Sequence, residues 1–280
     1  MKKILPTPEQ LSAWARLLLP KDDIFYLKEP IPTNEKVQIF SVKEFFANPK
    51  FQDIEIINAL EAWKRSKEVN FVAVAKPEWF SSLSIQEKKS LITLQVQLKR
   101  GLVLPLPFGN LSFPDECISL DHAVLTAEIW QNFPQEKVLL GLAQDWDDGL
   151  CLEIPPNAPQ YIKAFANKYA YKSGANCLAT SIYAITGEEE IIHQWLHQEE
   201  FLAKLASNNY EETSKTAHEK GDILVGKNSN GAIAHAAYCL EEDCFFNKDG
   251  QYFFNPWKLI SWQTLQEEWE DLSWIVYSQK

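Results

Sequence analysis

Gly174-Ala175-Asn176-Cys177-Leu178-Ala179-Thr180-Ser181-Ile182-Tyr183-Ala184-Ile185-Thr186-Gly187 is the run on which the reading of this chain turns. A loop ends and a helix begins at Asn176-Cys177, and Gly187 stands where a helix stops. Downstream, strand-forming runs follow at residues 222–225, 232–240, 244–247 and 251–254. A helix at 261–269 and a closing strand at 272–277 complete the pattern. Upstream, residues 161–171 read as helical, with Ile162, Phe165, Ala166 and Tyr169 on one face, and a third helix covers 188–206. Helices first and antiparallel strands after make an α+β domain.

The stretch Glu153-Ile154-Pro155-Pro156-Asn157-Ala158-Pro159 holds three prolines in five residues and reads as a stiff connector. It predicts two domains: residues 1–157, mainly helical and of no assigned role, and residues 158–280. In the first, Thr7 and Gln10 form a capping box with Pro8 at the first helical position, and the apolar run 11–19 stops at Pro20. A helix is expected over 52–66, a strand over 70–75 ended by Pro77, and a second capping box at Ser84 and Glu87. The helix behind that box stops at Arg100-Gly101. Residues 102–107 read extended, with helices over 120–133 and 136–145.

Composition narrows the function. With 27 Lys+Arg against 38 Asp+Glu, the formal charge is −11, a field that repels nucleic acid and anionic membrane. Ten glycines leave little room for glycine-rich phosphate loops. The start MKKILPTPEQ breaks its apolar step at Pro6 and Pro8, unlike a signal peptide, and no segment approaches 18 apolar residues. A cytoplasmic protein with reduced thiols is expected. Its five cysteines, an odd count spread over a long chain, do not read as a disulfide framework.

One of those thiols has a chemical setting. At a helix start, unpaired N–H groups and the positive dipole end favour a thiolate, the nucleophilic form. His235 is the candidate base, in Ala232-Ile233-Ala234-His235-Ala236-Ala237-Tyr238, where alanines let a helix end approach the strand. The chain then turns at Glu241-Glu242-Asp243 and returns as Cys244-Phe245-Phe246-Asn247, which can set a polar side chain beside His235. Asn247 is the first choice to orient the imidazole, with Asn255 and Gln251 as alternatives. The competing structural readings are a buried helix cysteine, an incidental strand histidine and a turn asparagine.

Together GANCLATSIYAITG, GDILVG and AIAHAAYCLEEDCFFNKDG resemble the papain-like cysteine hydrolases of the NlpC/P60 type, over roughly residues 160–280. The resemblance implies a cysteine at a helix N-terminus, a histidine on the next core strand and a polar third residue, here Cys177, His235 and Asn247. It implies amide hydrolysis, often of bacterial cell-wall peptides. Backbone N–H groups would form the oxyanion hole, with Asn176 or Tyr171 as further donors, and no cofactor is implied. The family's common run is Asp-Cys-Ser-Gly, where this chain has Asn176-Cys177-Leu178-Ala179. The Asn-Cys pair is similar to that of lecithin-retinol acyltransferase-like enzymes, but those place His before Cys. The expected partner is a peptide or small amide, with neither nucleic acid nor membrane. Two alternatives are a catalytically inactive papain-like binding module and an amine-accepting acyltransferase.

Other patterns weigh less. Gly221-Asp222-Ile223-Leu224-Val225-Gly226-Lys227-Asn228 nearly matches a phosphate loop, but strand formers stand between its glycines and Asn228 replaces the Ser or Thr. His193 and His197 have zincin spacing, yet Gln194 holds the place of the general base. His235 and Cys239, four apart on a strand, are separated by ~13 Å, too far for one zinc ion. No metal site is expected. Asp145-Trp146-Asp147-Asp148-Gly149 reads as a turn, and Trp257 and Trp262 are candidates to line a cleft.

Overall fold

Ile223-Leu224-Val225, apolar and rich in branched side chains, has the composition of a strand buried on both faces, and it lies inside the largest sheet. The structure is a computed structural model that describes residues 1–19, 21–51, 66–100, 102–215 and 217–280. It is α+β with antiparallel sheets. The chain divides into two compact units, one discontinuous (Met1–Gln10 with Leu142–Lys280) and one continuous (Leu11–Gly141).

In the continuous unit, strands β2 (Asp23–Leu27), β3 (Val37–Ser41) and β4 (Phe71–Ala75) form one sheet in the order β2-β4-β3. β5 (Val103–Pro105), β6 (Ile118–Ser119) and β7 (His122–Val124) form a second, in the order β5-β7-β6. Among its described residues the unit thus carries two antiparallel sheets beside the helices that its sequence suggests. β2 is buried at all five positions, so it lacks the alternation that marks a half-exposed strand. The expected helix over 120–133 is only partly helix: Leu120 and Asp121 turn the β6–β7 hairpin with positive φ, β7 takes His122–Val124, and helix covers only Ala127–Gln131. The Ser84–Glu87 capping box forms and starts the helix Ile85–Gln97. Residues 52–65 of the expected helix over 52–66, and the Gly101 stop, lie outside the described residues.

In the discontinuous unit, β1 (Lys2–Lys3) pairs with β8 (Leu150–Cys151). The main sheet runs β13-β12-β11-β10-β14-β9, all antiparallel. Its strands are β9 (Tyr210–Thr213), β10 (Ile223–Lys227), β11 (Ile233–Glu241), β12 (Cys244–Asn247), β13 (Lys258–Ile260) and β14 (Ser273–Gln279). The helix Cys177–Thr186 lies on this sheet, and its Leu178, Ala179, Ile182 and Tyr183 join Val225, Ala236, Phe246 and Leu259 in one core. Asn176 caps it, accepting from Ala179 N–H at 3.0 Å, and Gly187 ends it at φ 71°.

The unit's edge falls at Leu142, not at the prolines. Residues 142–157 are tied to the later strands: Leu152 N–H donates to Leu259 O at 2.7 Å, and Asp147 pairs with Lys258 at 3.0 Å. Prolines stiffen a segment without making it a linker when its flanks are bonded.

Three more expectations change. The helix over 161–171 is only Gln160–Phe165, cut by Asn167 at φ 60°. The helix over 188–206 is two pieces, a 3-10 turn at Ile191–His193 and the helix Gln198–Ser207. Residues 251–254 are turn, and the next strand is β13.

Candidate functional site

Cys177 opens its helix where Ala236 of β11 is fully buried, a small side chain that admits the helix end. Burial pushes the Cys177 thiol up to about 11, while the backbone N–H groups of Ala236, Leu178 and Cys177 itself pull it down. The helix start thus does not leave a thiolate at rest, because desolvation outweighs the N–H groups that favour the anion.

His235 is 0% exposed on β11, paired across from Gly226 of β10. Its Nε2 lies 2.6 Å from Asn247 Oδ1. The orientation of that amide follows from its other end: Asn247 Nδ2 donates to Asp249 Oδ1 at 2.6 Å, and a carboxylate only accepts. Oδ1 therefore faces the ring, Nε2 carries the proton, and Nδ1 keeps a lone pair. Nδ1 is buried with no hydrogen-bond partner among the described residues. Burial holds the imidazole down to about 4, against opposing effects of Asp249 and Asn247, so it is neutral at physiological pH.

Aromatic walls close over the ring. Trp269 stacks on His235 at 4.3 Å and 22°, and Trp274 meets it edge-on at 6.1 Å. Gly226 makes room for this arrangement: a Cβ there would stand 2.6 Å from Leu272 Cδ1 and 3.3 Å from the Trp274 ring.

Behind Asn247 lies a charged cluster that sequence reading did not find. Lys258 is 3% exposed and contacts Asp147 at 3.0 Å, Asp249 at 3.4 Å and Glu268 at 3.4 Å. Burial alone would raise Asp249, but Lys258, His235 and the Asn247 amide outweigh it and keep the carboxylate low. Asp249 follows Asn247 by two residues, a spacing that reads as an ordinary turn until the strand register is known. Lys248 is fully buried and donates to Gly250 O at 2.6 Å and Tyr252 O at 2.9 Å, with its ammonium 5.7 Å from the Trp257 ring. Burial brings it down to about 7.

Of the three residues considered as the imidazole's partner, Asn247 is the one brought to it. Gln251 meets the Cys177 loop instead, its carbonyl accepting from Gly174 N–H at 2.8 Å. Asn255 packs beside Gly250. Asn176 is committed as a cap: Oδ1 accepts from Ala179 and Leu196 N–H, and Nδ2 donates to Leu196 O at 2.8 Å. Tyr171 is 58% exposed and lines a cavity with Trp257. His193 and His197 do not share a helix; His197 is the cap residue before Gln198.

All five cysteines are free and buried. Among the described residues, no group of three His, Cys, Asp or Glu is placed to hold a metal, and no helix is long and apolar enough to cross a membrane. Comparison with known proteins finds no family model, no curated protein and no solved structure that matches the chain.

Proposed function

We propose that the discontinuous unit is a papain-like cysteine hydrolase of the NlpC/P60 type that cleaves an amide bond. The observation that carries this reading is the imidazole of His235. One nitrogen is fixed on Asn247 at 2.6 Å, and the other is left buried with a free lone pair.

In the reaction, Nδ1 of His235 accepts the Cys177 proton and the sulfur attacks the amide carbonyl. The oxyanion gathers the N–H of Cys177 at the helix start. Collapse expels the amine, which takes the proton from Nδ1, and leaves a thioester. Water, deprotonated by the same Nδ1, then releases the acid and restores the thiol. Asn247 keeps the ring in the tautomer that makes Nδ1 the base, and Asp249 keeps Asn247 from flipping.

A catalytically inactive binding module is the second reading. Two observations favour it: His235 is completely buried with Trp269 stacked on it, and the buried thiol and imidazole are both neutral at rest. Incubation with a peptide-amide library, read by mass spectrometry, separates the two. Hydrolysis lost in both Cys177→Ala and His235→Ala, with iodoacetamide mapping first to Cys177, supports the enzyme. No hydrolysis, together with alkylation of Cys177 no faster than of the other four thiols, supports the binding module.

A further inference from the structure

A cavity of about 740 Å³ in the discontinuous unit is not formed by the residues of the proposed reaction. Its volume falls in the range of small-ligand sites. Its walls are aromatic: Phe165, Tyr169, Tyr171 and Trp257 line it, with His193 beside them. Phe165 and Trp257 meet edge-to-face at 5.3 Å, and His193 meets Phe165 at 5.4 Å, so this wall is a packed aromatic group. Hydrogen bonds to the main chain hold it in place, since Trp257 N–H donates to Lys168 O at 2.9 Å and the Gln10 side-chain amide donates to Tyr169 O.

The charge at this cavity is opposite to that of the chain. The protein carries −11 overall, yet among the described residues that line the cavity there is no Asp or Glu, and there are two lysines, Lys168 and Lys172. Lys168 Nζ is held by Ala164 O at 2.7 Å. Lys172 makes no hydrogen bond or ion pair among the described residues, so its ammonium is available to a ligand. Flat apolar walls with an uncommitted cation at the rim suit a ligand with an aromatic body and one anionic group.

We propose that this cavity binds an aromatic carboxylate, of the kind found at the end of a peptide that terminates in an aromatic residue. Trp257 places the site relative to the candidate nucleophile: its Nε1–H donates to Thr180 Oγ1 at 3.2 Å, and Thr180 lies one helical turn beyond Cys177. Binding does not require Cys177 to react, so the proposal stands or falls apart from the hydrolase reading.

The test is calorimetric titration of the full chain carrying Cys177→Ala with N-acetyl-L-phenylalanine, and with its neutral amide. The expected result is binding of the carboxylate about tenfold or more tighter than of the amide. Lys172→Gln should weaken the carboxylate about five- to tenfold and leave the amide unchanged, as expected for one partly desolvated charge pair. Lys172 is exposed, so this variant folds normally. Equal affinity for acid and amide, no binding of either at millimolar concentration, or no effect of Lys172→Gln overturns the proposal.

Discussion

Asn247→Ala tests the arrangement around His235 most directly. The asparagine is 0% exposed and holds two buried groups together, His235 Nε2–H at 2.6 Å and the Asp249 carboxylate at 2.6 Å. Truncation removes a hydrogen bond to a charged acceptor, which contributes about 1.5–3 kcal/mol. It also leaves the imidazole N–H buried without an acceptor, which costs about 1–3 kcal/mol. Contacts in one network are not additive, so the expected loss is about 3–5 kcal/mol. The fit assay is amide hydrogen exchange by mass spectrometry, which reads β11 and β12 separately from the continuous unit. Peptides from Ile233–Glu241 and Cys244–Asn247 should lose protection, with exchange faster by at least two decades at fixed pH. Protection unchanged within a factor of five would show that this contact neither orients the imidazole nor holds the strand pair. The proposed role of Asn247 would then fail with it.

Acid should destabilise the same unit. His235 is held near 4 in the folded state against an ordinary value of 6.5, so between these pH values the unfolded chain binds more protons. Its contribution is complete above about pH 6.5 and is lost as the pH falls toward 4, amounting to roughly 3 kcal/mol. Urea midpoints measured from pH 7 to 4 check this, and a His235→Gln variant should flatten that part of the profile; an equally steep profile in the variant would assign the effect elsewhere. Gly226→Ala should destabilise by about 1–3 kcal/mol, because the added methyl lands 2.6 Å from Leu272. A melting temperature within 1 °C of the parent would mean that Leu272 yields freely and that the glycine is not needed for packing around His235.

Much of the discontinuous unit was legible because its signals are local. Asn176 and Gly187 cap one helix, the alanines around His235 mark a close approach, and the turn at 241–243 returns β12 against β11 in the register that aims Asn247 at the ring. What could not be read depends on partners far along the chain. Asp147 looks like one acid of a turn, and only the fold brings it to Lys258. Trp269 reads as the apolar end of a helix, and only the path of β14 lays it on the imidazole. The resting state of the Cys177 thiol depends on distant partners in the same way, since a helix start is visible in sequence whereas the depth of its burial is not.

The pairing of Lys2 and Lys3 with Cys151 and Leu150 bears on how the chain is made. A ribosome releases these partners about 150 residues apart, and at roughly 5–20 residues per second the first strand waits many seconds for its mate. Residues 11–141 emerge in that interval and can close their own core first. The Cys177–His235 region comes later still, and β14, which carries Trp274, follows it. Fragments arrested before residue 273 would thus carry the thiol and the imidazole without that edge of their cover, a species distinguishable by how fast a thiol reagent reaches Cys177.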